Sequence, residues 1–159
     1  MGNLKLTSSA FEDGGEIPRE CGYKNGNKVP PLTVSGIPEG TKSLALIMDD
    51  PDAMEAVGKV WVHWVVWNII PDRVQIDGGD ITPMYNSAIA AECELGMTDF
   101  GDVYYGGPAP PDKTHTYVFK LYALDTELDL PQKSTKADVE KAMEGHIVDQ
   151  ATLTGTYAP

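Results

Sequence analysis

Three stretches of the chain carry side chains able to do chemistry. The first is Asp49-Asp50-Pro51-Asp52-Ala53. Its three carboxylates repel one another unless water, a cation or hydrogen-bond donors compensate. Taken alone, the stretch reads first as an acidic Asp-Pro turn in solvent. The second is His63, within Trp61-Val62-His63-Trp64. An imidazole in so apolar a run must hydrogen-bond or stay neutral. It reads as a ligand group or as a satisfied core histidine. The third is Gly106-Gly107-Pro108-Ala109-Pro110-Pro111, followed by His115-Thr116-Tyr117. Glycines and prolines make a stiff loop that brings backbone close to whatever sits beside it. His115 and Tyr117, two apart on a strand, point to one side. The alternative is a proline-rich connector entering an ordinary strand.

Taken together, these stretches offer two imidazoles, a phenol, carboxylates and loop backbone. A histidine is half-charged at about pH 6.5, so it can donate to an anion as imidazolium. Asp50 or Asp52 would orient such a ring and raise its pKa. A carboxylate can also share a proton with a phosphate monoanion, or pair with the ammonium of a zwitterionic head group. The leading reading is a protein that binds small anions, with no catalytic residue, metal or cofactor assigned. Two other readings stay open. The two histidines and nearby aspartates are a possible set for zinc or iron, hence a metal-assisted hydrolase. Against it, the stretches hold no Ser or Cys nucleophile and no local His-x-x-x-His pair. The third reading is an interaction module whose pocket takes a peptide or a partner's side chain.

Strands must position these groups. Ser43 to Asp49 is apolar on both alternating sets, as in an inner strand covered on both faces. It should stop at Asp50-Pro51. Val60 to Ile70 is the strongest strand, with His63 expected on the face of Trp61, Val65 and Trp67. Thr114 to Leu124 places His115, Tyr117, Phe119 and Leu121 on one face. One helix is signalled after Ser134 or Thr135, with Thr135 and Asp138 as a capping box and Gly145 near its end. A last strand runs from Ala151 to Tyr157. Strands outnumber helices and do not alternate with them. The expected class is all-β, a two-sheet antiparallel sandwich with a few short peripheral helices.

The chain of 159 residues suits one domain. Twenty-four acidic residues against twelve basic ones give a net charge of −12. That field repels phosphate backbones, so nucleic acid is not expected as a partner. It also opposes small anions at long range, so an anion site must rest on local donors. The longest apolar run, Val60 to Ile70, is too short to span a bilayer. The start has no apolar leader segment, so the cytoplasm is the default expectation. Two cysteines, Cys21 and Cys93, leave a disulfide undecided between bonded and reduced.

At the three stretches the sequence resembles the phosphatidylethanolamine-binding protein family. The first family signature reads here as Asp50-Pro51-Asp52-Ala53-Met54 followed by His63-Trp64-Val65-Val66-Trp67-Asn68. The second reads as Gly107-Pro108-Ala109-Pro110-Pro111 followed by His115-Thr116-Tyr117. The compact C-terminus resembles the bacterial and archaeal, Raf-kinase-inhibitor-like branch. The resemblance implies two antiparallel sheets and an anion pocket at one end of the sandwich. By motif position Asp50, His63, Gly107, Ala109, Pro111, His115 and Tyr117 would form the pocket, with Asp52 beside them. Met54 and Trp61 would line it. The implied ligands are phosphorylated head groups, phosphorylated side chains or nucleotides. The implied partners are a kinase or a protease under inhibition, and a second copy in a homodimer. Three positions depart from the pattern: Met54 replaces a proline, Thr116 an arginine, and Ala109 a glycine or cysteine.

Overall fold

The computed structural model describes residues 2–71, 79–80 and 93–159. Its strands are β1 (Lys5–Thr7), β2 (Gly15–Glu16), β3 (Thr33–Ser35), β4 (Ser43–Asp50), β5 (Trp61–Ile69), β6 (Gly79–Asp80), β7 (Glu94–Leu95), β8 (His115–Leu124) and β9 (Ile147–Tyr157). Among the described residues two α-helices accompany them, α1 (Ala53–Val57) and α2 (Lys136–Met143). One sheet runs β1-β3-β6 and the other β2-β9-β8-β4-β5-β7. Pairing is antiparallel except for the two-residue β2, which runs parallel to β9. The expected sheet-dominated class holds, with that one parallel pair as an exception. No helix among the described residues is long and apolar enough to cross a membrane.

The larger sheet is covered on both faces, as the doubly apolar β4 requires. Leu44, Leu46 and Met48 pack with Leu6 and Val34 of the small sheet. Ala45 and Ile47 face the other way, against Val139 and Met143 of α2. Every residue of β4 is buried, so this strand is the spine of the domain.

The α2 cap is as its sequence predicts. Thr135 Oγ1 accepts from the Asp138 amide at 3.2 Å, and Asp138 Oδ2 accepts from the Thr135 amide at 3.0 Å. Gly145 follows in the left-handed region at φ 81°, which a residue with a Cβ adopts only under strain.

The short strands β1, β2, β3, β6 and β7 add to the four that the sequence places, and three further features differ from the sequence reading. Helix α1 is additional; it forms where the Asp52 amide donates to Asp50 Oδ1 at 2.9 Å, and ends at Gly58 with φ 81°. Strand β9 begins at Ile147, four residues early, because its first two residues, Ile147 and Val148, are exposed apolar side chains with no inward alternation to read.

The third difference matters most. Met48 pairs with Trp64, but Asp49 pairs with Val62, so His63 is the extra residue of a β-bulge. A bulge breaks the two-residue alternation and re-aims the side chain it carries. Val65 and Trp67 therefore go to the core beneath α2, while His63 does not. Its ring instead meets Tyr117 edge-on, 5.2 Å between centroids.

Candidate functional site

Alternation along β4 sends Asp49 and Asp50 to opposite faces. Asp50 points to the side of β8 that begins with His115. Its Oδ2 lies 2.6 Å from His115 Nδ1. On the other side of the ring, Nε2 lies 2.7 Å from Asp112 Oδ1. Both partners are carboxylates, so both nitrogens donate and the ring is an imidazolium. Burial pulls the His115 pKa down, but its hydrogen bonds to Asp50 and Asp112 outweigh it and the net shift is upward. The ring itself is 0% exposed.

His63 is held in the opposite state. Its Nδ1 lies 2.6 Å from the Gly106 carbonyl oxygen, which can only accept. Burial lowers its pKa; the Gly106 carbonyl, the Asp50 charge and the Gly107 carbonyl only partly offset that. A neutral ring with its proton on Nδ1 leaves Nε2 as an acceptor. The bulge thus supplies an acceptor and β8 a cationic donor.

Tyr117 lies beneath them, fully buried; among the described residues its hydroxyl makes no well-formed hydrogen bond, although the Asp50 carboxylate and the Ala109 backbone lie close to it. Burial first, then the charge of Asp50, keeps the phenol pKa well above its ordinary value. The hydroxyl therefore keeps its proton. A buried hydroxyl left unpaired costs about 1–3 kcal/mol, which such a group recovers when a bound molecule accepts from it.

Above this polar floor is a cleft of about 220 Å³. Asp50, His63 and His115 form its polar part; Ala53, Ala56 and Val57 of α1, with Trp61 and Phe100, form its apolar walls. Ala109 and Pro111 complete the rim. Phe100 is locked by stacking on Tyr23 at 4.2 Å and by edge contacts to Trp61 and His63 at 5.7 and 5.2 Å.

The rim loop is pinned from behind. The Gly107 amide donates to Asn27 Oδ1 at 2.7 Å, and the Tyr23 amide donates to the Pro108 carbonyl at 2.9 Å. A Cβ at Gly107 would collide with the Cys21 carbonyl. Gly107 is thus needed for close approach to the neighbouring chain segment, and it shapes the rim without lining the cleft. Cys21 and Cys93 are both buried and are not joined in a disulfide; burial, then the Glu20 charge, pushes the Cys21 thiol up to about 11.

Of the residues singled out from sequence, Asp50, Trp61, His63, Ala109, Pro111 and His115 come together around the cleft, with Tyr117 below. Asp52 and Met54 do not join them. Asp52 Oδ2 accepts from the Thr116 amide at 2.8 Å, tying the start of α1 to β8. Of the two candidate carboxylates, Asp50 is the one that holds the imidazole. Met54 is 54% exposed on the outer side of α1. Asp112 and Phe100 were not anticipated. Asp112 precedes His115 by three residues, a spacing that would bring it within reach in a tight turn; nothing in the sequence marks Phe100 as a wall. Among the described residues no three His, Cys, Asp or Glu side chains are grouped to hold a metal ion.

The phosphatidylethanolamine-binding protein family matches residues 7–158. A protein of Methanothermobacter thermautotrophicus, called UPF0098, is 43% identical over 156 residues, covering 97% of this chain and 98% of that one. The solved structure of Escherichia coli YbcL, described as a new member of the mammalian family, aligns with a TM-score of 0.84 at 31% identity, covering 98% of each chain. A homolog from Chlamydia trachomatis aligns with a TM-score of 0.83 at 34% identity, covering 99% of this chain and 98% of that one. Fold, motif order and relatives agree: the chain belongs to the phosphatidylethanolamine-binding protein family, among its bacterial and archaeal members.

Proposed function

We propose that the cleft binds a small anion that also has a proton to share, with the monoanion of inorganic phosphate or of a phosphomonoester as the plainest case. The observation that carries this is the enclosed His115 ring on the cleft wall, with a carboxylate oxygen 2.6 and 2.7 Å from its two nitrogens, the setting of a cation. An anion there accepts from His115 and from the unpaired Tyr117 hydroxyl. Its own proton is taken by Asp50 or by Nε2 of neutral His63. A dianion has no such proton and meets the Asp50 and Asp112 charges unrelieved, so the monoanion is favoured. The apolar walls suit a short hydrocarbon attachment. A phosphorylated side chain of a kinase or protease presents the same group, so regulation of such a partner would pass through this cleft.

The net charge of −12 works against anions at long range, so a modest affinity is expected. Titrating phosphate and phosphoethanolamine into labelled protein near neutral pH, and following the ring resonances of both histidines by NMR, tests the proposal. Both His63 and His115 should shift and saturate. Resonances that stay in place at millimolar ligand would refute it.

A further inference from the structure

The second nitrogen of His115 is already taken by a carboxylate that stands on the rim loop and does not line the cleft. Asp112 Oδ1 sits 2.7 Å from His115 Nε2, where an incoming anion would make its strongest bond. The two residues are built very differently. The His115 ring is 0% exposed, whereas the Asp112 side chain is 41% exposed on the rim loop. His115 cannot move without disturbing β8, but Asp112 can swing into water. Its neighbour Lys113 is ion-paired to Glu55 at 2.5 Å and reaches Asp112 only through a weaker charge attraction; His115 and the backbone amides of Asp112 and Lys113 hold the Asp112 carboxylate.

We propose that Asp112 is a built-in competitor, a tethered carboxylate that fills the anion position on His115 and must be exchanged for any ligand that binds there. The inference rests on reading the cleft as an anion site, and it specifies which anions succeed. A carboxylate three residues away presents itself at an effective concentration on the order of millimolar or above. A simple carboxylate such as acetate offers His115 the same bond without the tether, so it loses. A phosphate monoanion wins by adding bonds that Asp112 does not make: an acceptor for Tyr117 and a proton for Asp50 or His63. Asp112 is thus a specificity-determining residue. It raises the threshold for all anions and passes those with several acceptor atoms and a proton.

The test compares native protein with Asp112→Ala and Asp112→Asn, titrated with inorganic phosphate and with acetate. It is run at about pH 6, below the ordinary histidine pKa, so that His115 keeps its proton when one carboxylate is gone. Histidine NMR shifts read the binding. The substituted side chain lies at the surface, so folding is not at stake; an unchanged amide spectrum away from the loop checks this. Asp112→Ala should bind phosphate about tenfold more tightly, the scale of one charge-assisted hydrogen bond partly exposed to solvent. Acetate should become a detectable ligand of that variant. Asp112→Asn, which keeps an acceptor oxygen but loses the charge, should fall between. Equal or weaker phosphate binding by Asp112→Ala overturns the competitor role and leaves the anion site standing. No phosphate binding by either protein overturns the anion site, and the competitor with it.

Discussion

Asp49 and Asp50 are neighbours in sequence, both are buried, and both end the same strand. Asp49 faces α2 and holds Lys120 and Lys136, at 3.1 and 2.8 Å. Asp50 faces the cleft and holds His115 at 2.6 Å. The lysines reach in on flexible stems and leave part of each side chain in water. Every charge there is answered, and the contact ties the start of α2 to the sheet. His115 is a rigid ring with a second donor nitrogen, and it lies beside an unpaired phenol. One carboxylate closes a structure; its neighbour leaves bonding capacity facing a cavity. Residue type does not separate the two roles. The partner does, through its rigidity and through what its remaining atoms face.

The sharpest way to break this contrast is to remove each carboxylate in turn. Asp49→Ala leaves Lys120 without its carboxylate and Lys136 with only Glu140, at 4.0 Å, and should lower unfolding free energy by about 3 kcal/mol, at the low end for a buried pair because the lysines are partly wet. Urea denaturation reads this, and phosphate affinity of the folded protein should not move. Asp50→Asn should cost less, about 2 kcal/mol, because His115 can shed its proton instead of remaining an unmatched cation. It should also lower the His115 pKa in an NMR titration and weaken phosphate binding by about tenfold. A comparable loss of binding on Asp49→Ala would erase the distinction.

The pH dependence of stability separates the two ends without any substitution. His115 has a raised pKa in the folded state. Its contribution is therefore fully present below the ordinary histidine pKa and is lost as pH rises through the raised value. Denaturation midpoints should fall across that window in native protein and lose this component in His115→Gln. The smallest expected effect is at the α2 end, where Thr135→Ala removes the cap and should cost about 1 kcal/mol, leaving histidine shifts unchanged.

The three central strands and the capped helix were legible in the sequence because each is fixed by local chemistry: two-sided apolar runs, Asp50-Pro51, and Thr135 with Asp138. The pairing of Asp50 with His115 was legible as a choice between two aspartates, since strand alternation alone does not say which turn residue curls back to cap Thr116. The face assigned to His63 was not legible. A bulge is defined by two strands at once, and Trp61 to Ile69 contains no glycine or proline to announce one. Asp112 was hidden for a related reason. Its role depends on how the proline loop folds back over His115, which is set by contacts to Cys21, Tyr23 and Asn27 far earlier in the chain.

The bulge at His63 has a bearing on how this protein can vary. On its two sides the sheet is out of phase by one residue, and the site lies at the dislocation. A substitution in β5 changes one side chain. A single-residue deletion at position 63 would instead bring the pairing from Trp61 to Val66 into step, lose the acceptor imidazole, and leave the cleft's aromatic wall hanging from a strand whose remaining register shift lies opposite Leu44 to Leu46. Sequence length across Trp61 to Trp64 is therefore a stricter requirement than sequence identity there. A chain one residue shorter across that span could keep the fold while giving up the pocket.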